Sequence, residues 1–507
     1  MGILRAALYL SLLGSAGCAQ LFGIDTTSSN DAGVPVDASP TSVTMQVQRL
    51  SEGPSPTRSA YDVSTLPANF LVSDSSAMGF HRVASIAAGD TWSAEIPDGT
   101  PAMEVTLGLD IPDQFRRLYS LPQRNIKLLY GIYEQAGAVP APAAGTITAT
   151  LNLSTPASAP VMAPPVESYQ LYCVGSWARY GLPFTDGAAS ITQAMIPFNN
   201  ANWGNISGRP FTKITALDTM LGLKWSATGQ LLAAAEFPAF EQTAGDVVIT
   251  ASMTNVTATA MDVHTSPSTI GSRLAMPTPA ATSAVAIGWS TNASPGWEIA
   301  NAAGPQLAAG SLLTTDSGAL TAPFGNPFAS KGWKTTFSYN SNKSRQYAVP
   351  QLGNLPATFY TGINSIYELS AGLTVEPAAA LPVLVSINSK PMTTDGLTVT
   401  IDPAKAVTLT MVTDYTMPAP TFYQYNIYEL RENAASTLEA HVAYVVVSDK
   451  PTTSIPSDAF TAGKTYWVRA HTINGGYPSF AAGNFWDRNL PYSVGYLDSG
   501  LFTAAAP

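Results

Sequence analysis

Charge is what this chain has least of. Asp, Glu, Lys and Arg make up 11% of its 507 residues, well under the ~25% of an ordinary soluble domain. The charges sum to −10, with no run of Lys or Arg, so nucleic-acid binding has no electrostatic basis. Cysteine is nearly missing: Cys18 and Cys173 are the only two, too few for a disulfide framework. The four histidines, His81, His264, His441 and His471, stand far apart, and no H-E-x-x-H or paired-Cys motif occurs. No metal centre and no cofactor are therefore expected. Beyond Gln20 no apolar run approaches the ~20 residues of a membrane-spanning helix. Sustained 3.6-residue periodicity is absent too; only Leu231–Phe240 offers a helical turn or two, cut by Pro238.

What is there instead is a hydroxyl-rich, turn-rich chain with 46% hydrophobic residues, 39 Gly and 39 Pro. Its period is two. Met103, Val105, Leu107 and Leu109 alternate with polar or small residues; so do Ile147, Ala149, Leu151 and Leu153. Val247, Ile249, Ala251 and Met253 repeat the pattern, as do Leu397, Val399 and Ile401. Such alternation buries one face of an antiparallel sheet and wets the other. Asp98-Gly99, Asp186-Gly187 and Asp395-Gly396 are turn dipeptides. Pro- and Ala-rich breaks at 137–145, 155–165, 276–283 and 376–382 divide the chain into pieces of sandwich size. The expected fold is all-β: serial antiparallel β-sandwiches at 42–140, 145–275, 284–378 and 384–507, with a jelly roll as the alternative for the middle. Ile-Tyr-Glu recurs at 132–134, 366–368 and 427–429, a weak sign of duplication.

The N-terminus has the layout of a secretory leader: Arg5, the apolar run Ala6–Leu13, then Gly14-Ser15-Ala16-Gly17-Cys18. It resembles the signal of bacterial lipoproteins. Ser15-Ala16-Gly17-Cys18 fits the lipobox at its last three positions, with Ser15 where the family prefers Leu. The resemblance implies removal of 1–17 and diacylation of Cys18, so that the partner is a membrane, reached through the lipid. Ala19 after the Cys implies the outer membrane. Cleavage at an ordinary site, giving a secreted protein, is the alternative. The Ser-, Asp- and Pro-rich stretch 18–41 suits a disordered tether between lipid and folded body.

In the last piece, Gly463-Lys464-Thr465-Tyr466-Trp467-Val468-Arg469-Ala470-His471 followed by Asn474-Gly475-Gly476 resembles the F strand and its flanking turns in a fibronectin type III domain. The resemblance covers about 384–504. It implies a seven-stranded sandwich with a tyrosine corner at Tyr466, Val468 and Ala470 inward, Trp467, Arg469 and His471 outward, and a hairpin turn at Asn474-Gly475-Gly476. Tyr425–Leu430 fits its C strand, whereas the expected core Trp of the B strand is missing from Val407–Val412. Adhesive or spacer roles follow from the resemblance, and no catalytic residue does.

Chemistry-bearing residues are few. Cys173 sits in a strand-like run and reads as a buried core residue. Asp110 and Asp113 fall short of the six to eight oxygens a Ca²⁺ site takes. Trp177, Trp203, Trp225, Trp289, Trp297 and Trp333, with Tyr169, Tyr172 and Tyr180, are candidates for an aromatic platform that stacks on sugar rings. The loop Asn199-Asn200-Ala201-Asn202-Trp203-Gly204-Asn205 is its most suggestive part, with Trp203, Asn199, Asn202 and Asn205 as candidate ligand contacts, although such residues also simply turn a chain. The expectation is a non-enzymatic envelope lipoprotein, structural, adhesive or binding polysaccharide or envelope proteins. The alternative is a hydrolase of glycans or esters whose carboxylates sequence cannot pair.

Overall fold

The computed structural model describes residues 42–507 apart from 52–56, 67, 75–78, 97–101, 108–114, 133–144, 159–166, 175–177, 200–202, 206–212, 297–303, 376–378, 415–418 and 434–436. Cys18, the leader and the tether lie outside the described residues, as do Asp98-Gly99, Asp110, Asp113, Trp177, Asn202 and Trp297. The fold is all-β. Among the described residues the α-helical element is one short piece, Pro267–Arg273.

Alternation becomes burial where the sequence places it. In the strand Thr146–Asn152, Ile147, Ala149 and Leu151 are buried while their neighbours are not. Gly187 and Gly396 take the positive φ expected of their turns. The Leu231–Glu236 segment differs from expectation: it is a strand, paired with Met220–Ser226. Ala233 packs into the core of the second piece and Ala234 into a cluster shared with the third. Burial on both faces favours a strand without polar alternation over a lone helical turn.

The second and last pieces are each built of sheets packed face to face. The second packs a three-stranded sheet, with Thr146–Asn152 central, on a six-stranded one. Cys173, fully buried, is part of its core. In the last piece, the sheet containing Pro382–Ile387, Val407–Thr413 and Thr452–Ile455 faces Phe422–Glu432, Leu438–Ser448 and Thr465–Gly475. Tyr466 makes the expected corner: the Thr461 N–H donates to its hydroxyl at 2.9 Å.

The pieces are fused rather than strung loosely. One 14-stranded sheet runs through three of them. From the third piece, Leu355–Glu368 pairs antiparallel with Tyr492–Asp498, Thr361 opposite Leu497. From the first piece, Phe115–Ser120 pairs parallel with Leu438–Ser448. The first piece thus folds back onto the last. Its Glu104, almost wholly buried, accepts from Arg82 at 2.6 Å and from the Tyr444 hydroxyl at 2.7 Å. Asp458 of the last piece takes Arg116 at 3.0 Å. Arg345 of the third piece reaches Asp395 at 3.0 Å, and Arg273 reaches Asp414 at 2.6 Å.

The Asn474-Gly475-Gly476 turn does not close a hairpin. Gly475 and Gly476 have positive φ, but the chain leaves on an excursion and returns as Tyr492–Asp498. Phe480 and Phe485 of that excursion bury themselves with Phe422, Tyr119 and Ile473 in the core joining the first and last pieces. The apolar surface gained there outweighs the local preference for a tight turn.

Candidate functional site

Most of the described rings of the candidate aromatic platform are buried in cores instead of lying on a surface. Trp203 is 1% exposed, wedged against Phe198 at 4.9 Å and Tyr180 at 5.4 Å between ring centroids. A ring of that size contributes more to a core than to a wet loop. Its loop turns the chain: the Asn199 carbonyl accepts the Trp203 N–H at 3.1 Å, and Gly204–Asn205 pairs with Ala178–Arg179. Asn199 itself is exposed. Tyr169, Tyr172, Trp289 and Trp333 are also buried. The Trp225 indole N–H donates to the Gln306 carbonyl at 3.2 Å, linking the second and third pieces.

A different aromatic cluster does face solvent. It lies on the sheet face of the last piece that points away from its own core. Residues there fall into rows across strands. Gln424, His471, Tyr496 and Gly362 form one row, and Phe422, Ile473, Val494 and Asn364 the next. Both ends of this face are covered. At one end Trp467 stacks on Tyr428 at 4.7 Å and meets Phe359 edge-on. At the other, the first piece and the 476–491 excursion pack on Phe422 and Ile473. Between the covers runs a groove of about 560 Å³, walled by Tyr360, Tyr477, Tyr492 and Tyr496 with Asn342, Asn364 and Gln424.

The floor of the groove carries a fixed charge arrangement. Arg469 donates twice to Asp498, at 2.7 and 2.8 Å, and its guanidinium lies over the Tyr428 and Tyr496 rings. The Tyr360 backbone N–H also donates to Asp498, at 2.7 Å. The Asp498 side chain is 1% exposed, so it is a buried counter-ion beneath the groove. Burial, and then the neighbouring Arg469 charge, push His471 down to about 3. The imidazole is therefore neutral at neutral pH, and its Nε2 has no hydrogen-bond partner among the described residues. Burial pushes the Tyr496 phenol up to about 12. The described lining contains no Asp or Glu, Cys or Lys. What it offers is ring faces, amide donors and acceptors, and a neutral imidazole, which suit recognition of polar uncharged groups.

Of the four histidines, His471 alone lines this groove. His264 lies 3.2 Å from Asp262, and His441 lies 3.3 Å from Glu439 and opposite Glu429 across the strand pair. Among the described residues no three His, Cys, Asp or Glu gather as a metal site. Sequence reading placed Arg469 and His471 on the outward face but attached no function to them. The alternation of the strand Thr465–Gly475 was the signal; the missing information was which strands would flank it.

No family model matches the chain, and no curated protein matches it. Among solved structures, the tetra-tandem repeat of the extending region of a large adhesion protein aligns at 9% identity, over 90% of this chain and 99% of that one, with a TM-score of 0.11. A streptococcal ancillary pilin aligns at 9% identity over 66% of this chain and 98% of its own, TM-score 0.12. Activated Escherichia coli alpha-2-macroglobulin aligns at 8% identity over 92% of this chain and 44% of its own, TM-score 0.14.

Proposed function

We propose that this protein is a non-enzymatic component of a bacterial envelope: an outer-membrane lipoprotein, acylated at Cys18, whose fused β-sandwiches serve adhesion or surface architecture by gripping an envelope or extracellular component in the tyrosine-lined groove. The observation that carries the reading is the groove itself, with four tyrosine rings and three amides over a floor whose Arg469 is locked by the buried Asp498 beneath it. Such a lining binds and does not supply the paired acid and base of a hydrolase. The fused sheet supports the architectural side, because the ion pairs of Asp458, Asp414 and Asp395 tie the pieces into one body. The fibronectin type III resemblance of 384–504, with its Tyr466 corner, agrees with a spacer or adhesive module.

Two measurements test this. Cys18→Ala is expected to move the protein from the membrane pellet to the soluble or secreted fraction, and retention in the pellet would refute the anchor. Deleting the protein is expected to reduce attachment of cells to a surface or matrix, with restoration by the wild-type chain. Unchanged attachment would refute the adhesive role.

A further inference from the structure

Resting on that reading, we infer that the groove between Tyr360 and Tyr477 takes a neutral saccharide segment and holds it without a metal ion. Four features of the lining point to that class of ligand.

The first is ring presentation. Tyr360 is 41% exposed, and Tyr477, Tyr492 and Tyr496 are half-buried, so each shows part of its ring to the groove. A partly exposed ring is an apolar face for the C–H side of a pyranose, with a phenol at its edge for a hydroxyl. The second is the amide set. Asn342, Asn364 and Gln424 are partly exposed, and each amide carries donors and an acceptor on one rigid plane. Neighbouring sugar hydroxyls, which donate and accept side by side, match that pattern. His471 adds an unsatisfied ring nitrogen at the floor.

The third feature is charge. Arg469 is the one cation in the lining, and both arms of its bidentate contact go to Asp498. A phosphate or uronate would have to compete with a buried carboxylate already in place, on a chain of net charge −10. The same bookkeeping removes Ca²⁺, which needs several oxygen ligands with carboxylates among them; the lining has none. The fourth is shape. The groove lies on a sheet face whose backbone groups are paired on both sides, so it offers no edge for an added peptide strand. At about 560 Å³ it falls within the ~300–1,000 Å³ of small-ligand sites, room for a short oligosaccharide.

The test is calorimetric titration of the purified full chain with neutral gluco-, galacto-, manno- and N-acetylglucosamine oligosaccharides, a polyuronate oligosaccharide and an unstructured Gly/Ser-rich peptide, with and without EDTA. At least one neutral series is expected to bind, equally well in EDTA, with the polyuronate and peptide silent. Tyr360→Ala, on an exposed ring, is expected to weaken that binding about tenfold, and Gln424→Ala to weaken it less, both with unchanged far-UV circular dichroism. Binding confined to polyuronate or peptide, binding abolished by EDTA, or no neutral saccharide bound by the folded protein would each overturn the inference. The attachment assay separates the two readings. Attachment that depends on the protein while no neutral saccharide binds sinks the ligand class alone; loss of both sinks both.

Discussion

The Tyr496 phenol rests on Gly362: a Cβ built at residue 362 would stand 2.5 Å from the Tyr496 hydroxyl oxygen. The two residues face each other across the joint between the third and last pieces. The ring that forms one wall of the groove is therefore seated by a missing side chain on a strand from another piece.

Gly362→Ala follows directly. The added methyl also meets the Ser341 carbonyl, which belongs to a paired strand and has little freedom to move. Overpacking of this kind should destabilise the protein by about 1–3 kcal/mol. Urea denaturation checks it; an unchanged midpoint would mean that the Tyr496 ring swings aside freely.

Arg345 is a buried strut of the same joint. It binds the Asp395 carboxylate at 3.0 and 3.2 Å and the carbonyls of Asp498 and Ser499, and it lies 4.6 Å from the Phe359 ring centre. Arg345→Met should cost about 3–5 kcal/mol, because it strands a buried carboxylate. Adding Asp395→Asn should recover part of the loss, a coupling read by a double-mutant cycle. Strict additivity of the two changes would argue against a direct pair.

Stability should fall with acid partly through His471. Its folded-state pKa of about 3 lies below its ordinary 6.5. Between those values the unfolded chain binds the proton and the folded one does not, so stability rises with pH through that window. The contribution is fully present above about 6.5 and declines as pH drops toward 3. Arg469 and Tyr496 are the ionisable neighbours, and both keep their charge state in this range. His471→Gln should flatten the stability–pH slope between pH 4 and 6; an identical slope would show that the imidazole takes up its proton without penalty.

Tyr466→Phe removes the hydroxyl that accepts the Thr461 N–H and keeps the ring against Phe460 and Phe502. The expected loss is about 1 kcal/mol, one net hydrogen bond. Denaturant unfolding that detects no change would leave the corner without an energetic role.

Much of the fold was legible because its causes are local. Ile147, Ala149 and Leu151 announce a strand and its buried face by spacing alone, since successive side chains alternate across a pleat. Gly463, Tyr466 and Val468 sit within one turn and one strand, so the corner could be read too. The candidate site was not legible in the same way. Trp203 is open to two readings in sequence, a ligand contact or a core ring, because its neighbours are Asn and Gly; its burial depends on Tyr180 and Phe198, brought to it by strand pairing. Arg469 and His471 were placed on the correct face, but a face becomes a groove only when something stands on either side.

By itself the sequence determined the all-β character, the two-residue period of its strands and the low-charge, hydroxyl-rich surface, because composition and spacing act residue by residue. Tertiary structure alone decided which sheet edges meet. Tyr444 and Glu104 are 340 residues apart when they bond, and Ser365 and Ser493 are 128 apart. Backbone edges pair through groups that every residue carries, so the choice of partner rests on packing summed over whole faces, and the tyrosine groove exists only after that choice is made.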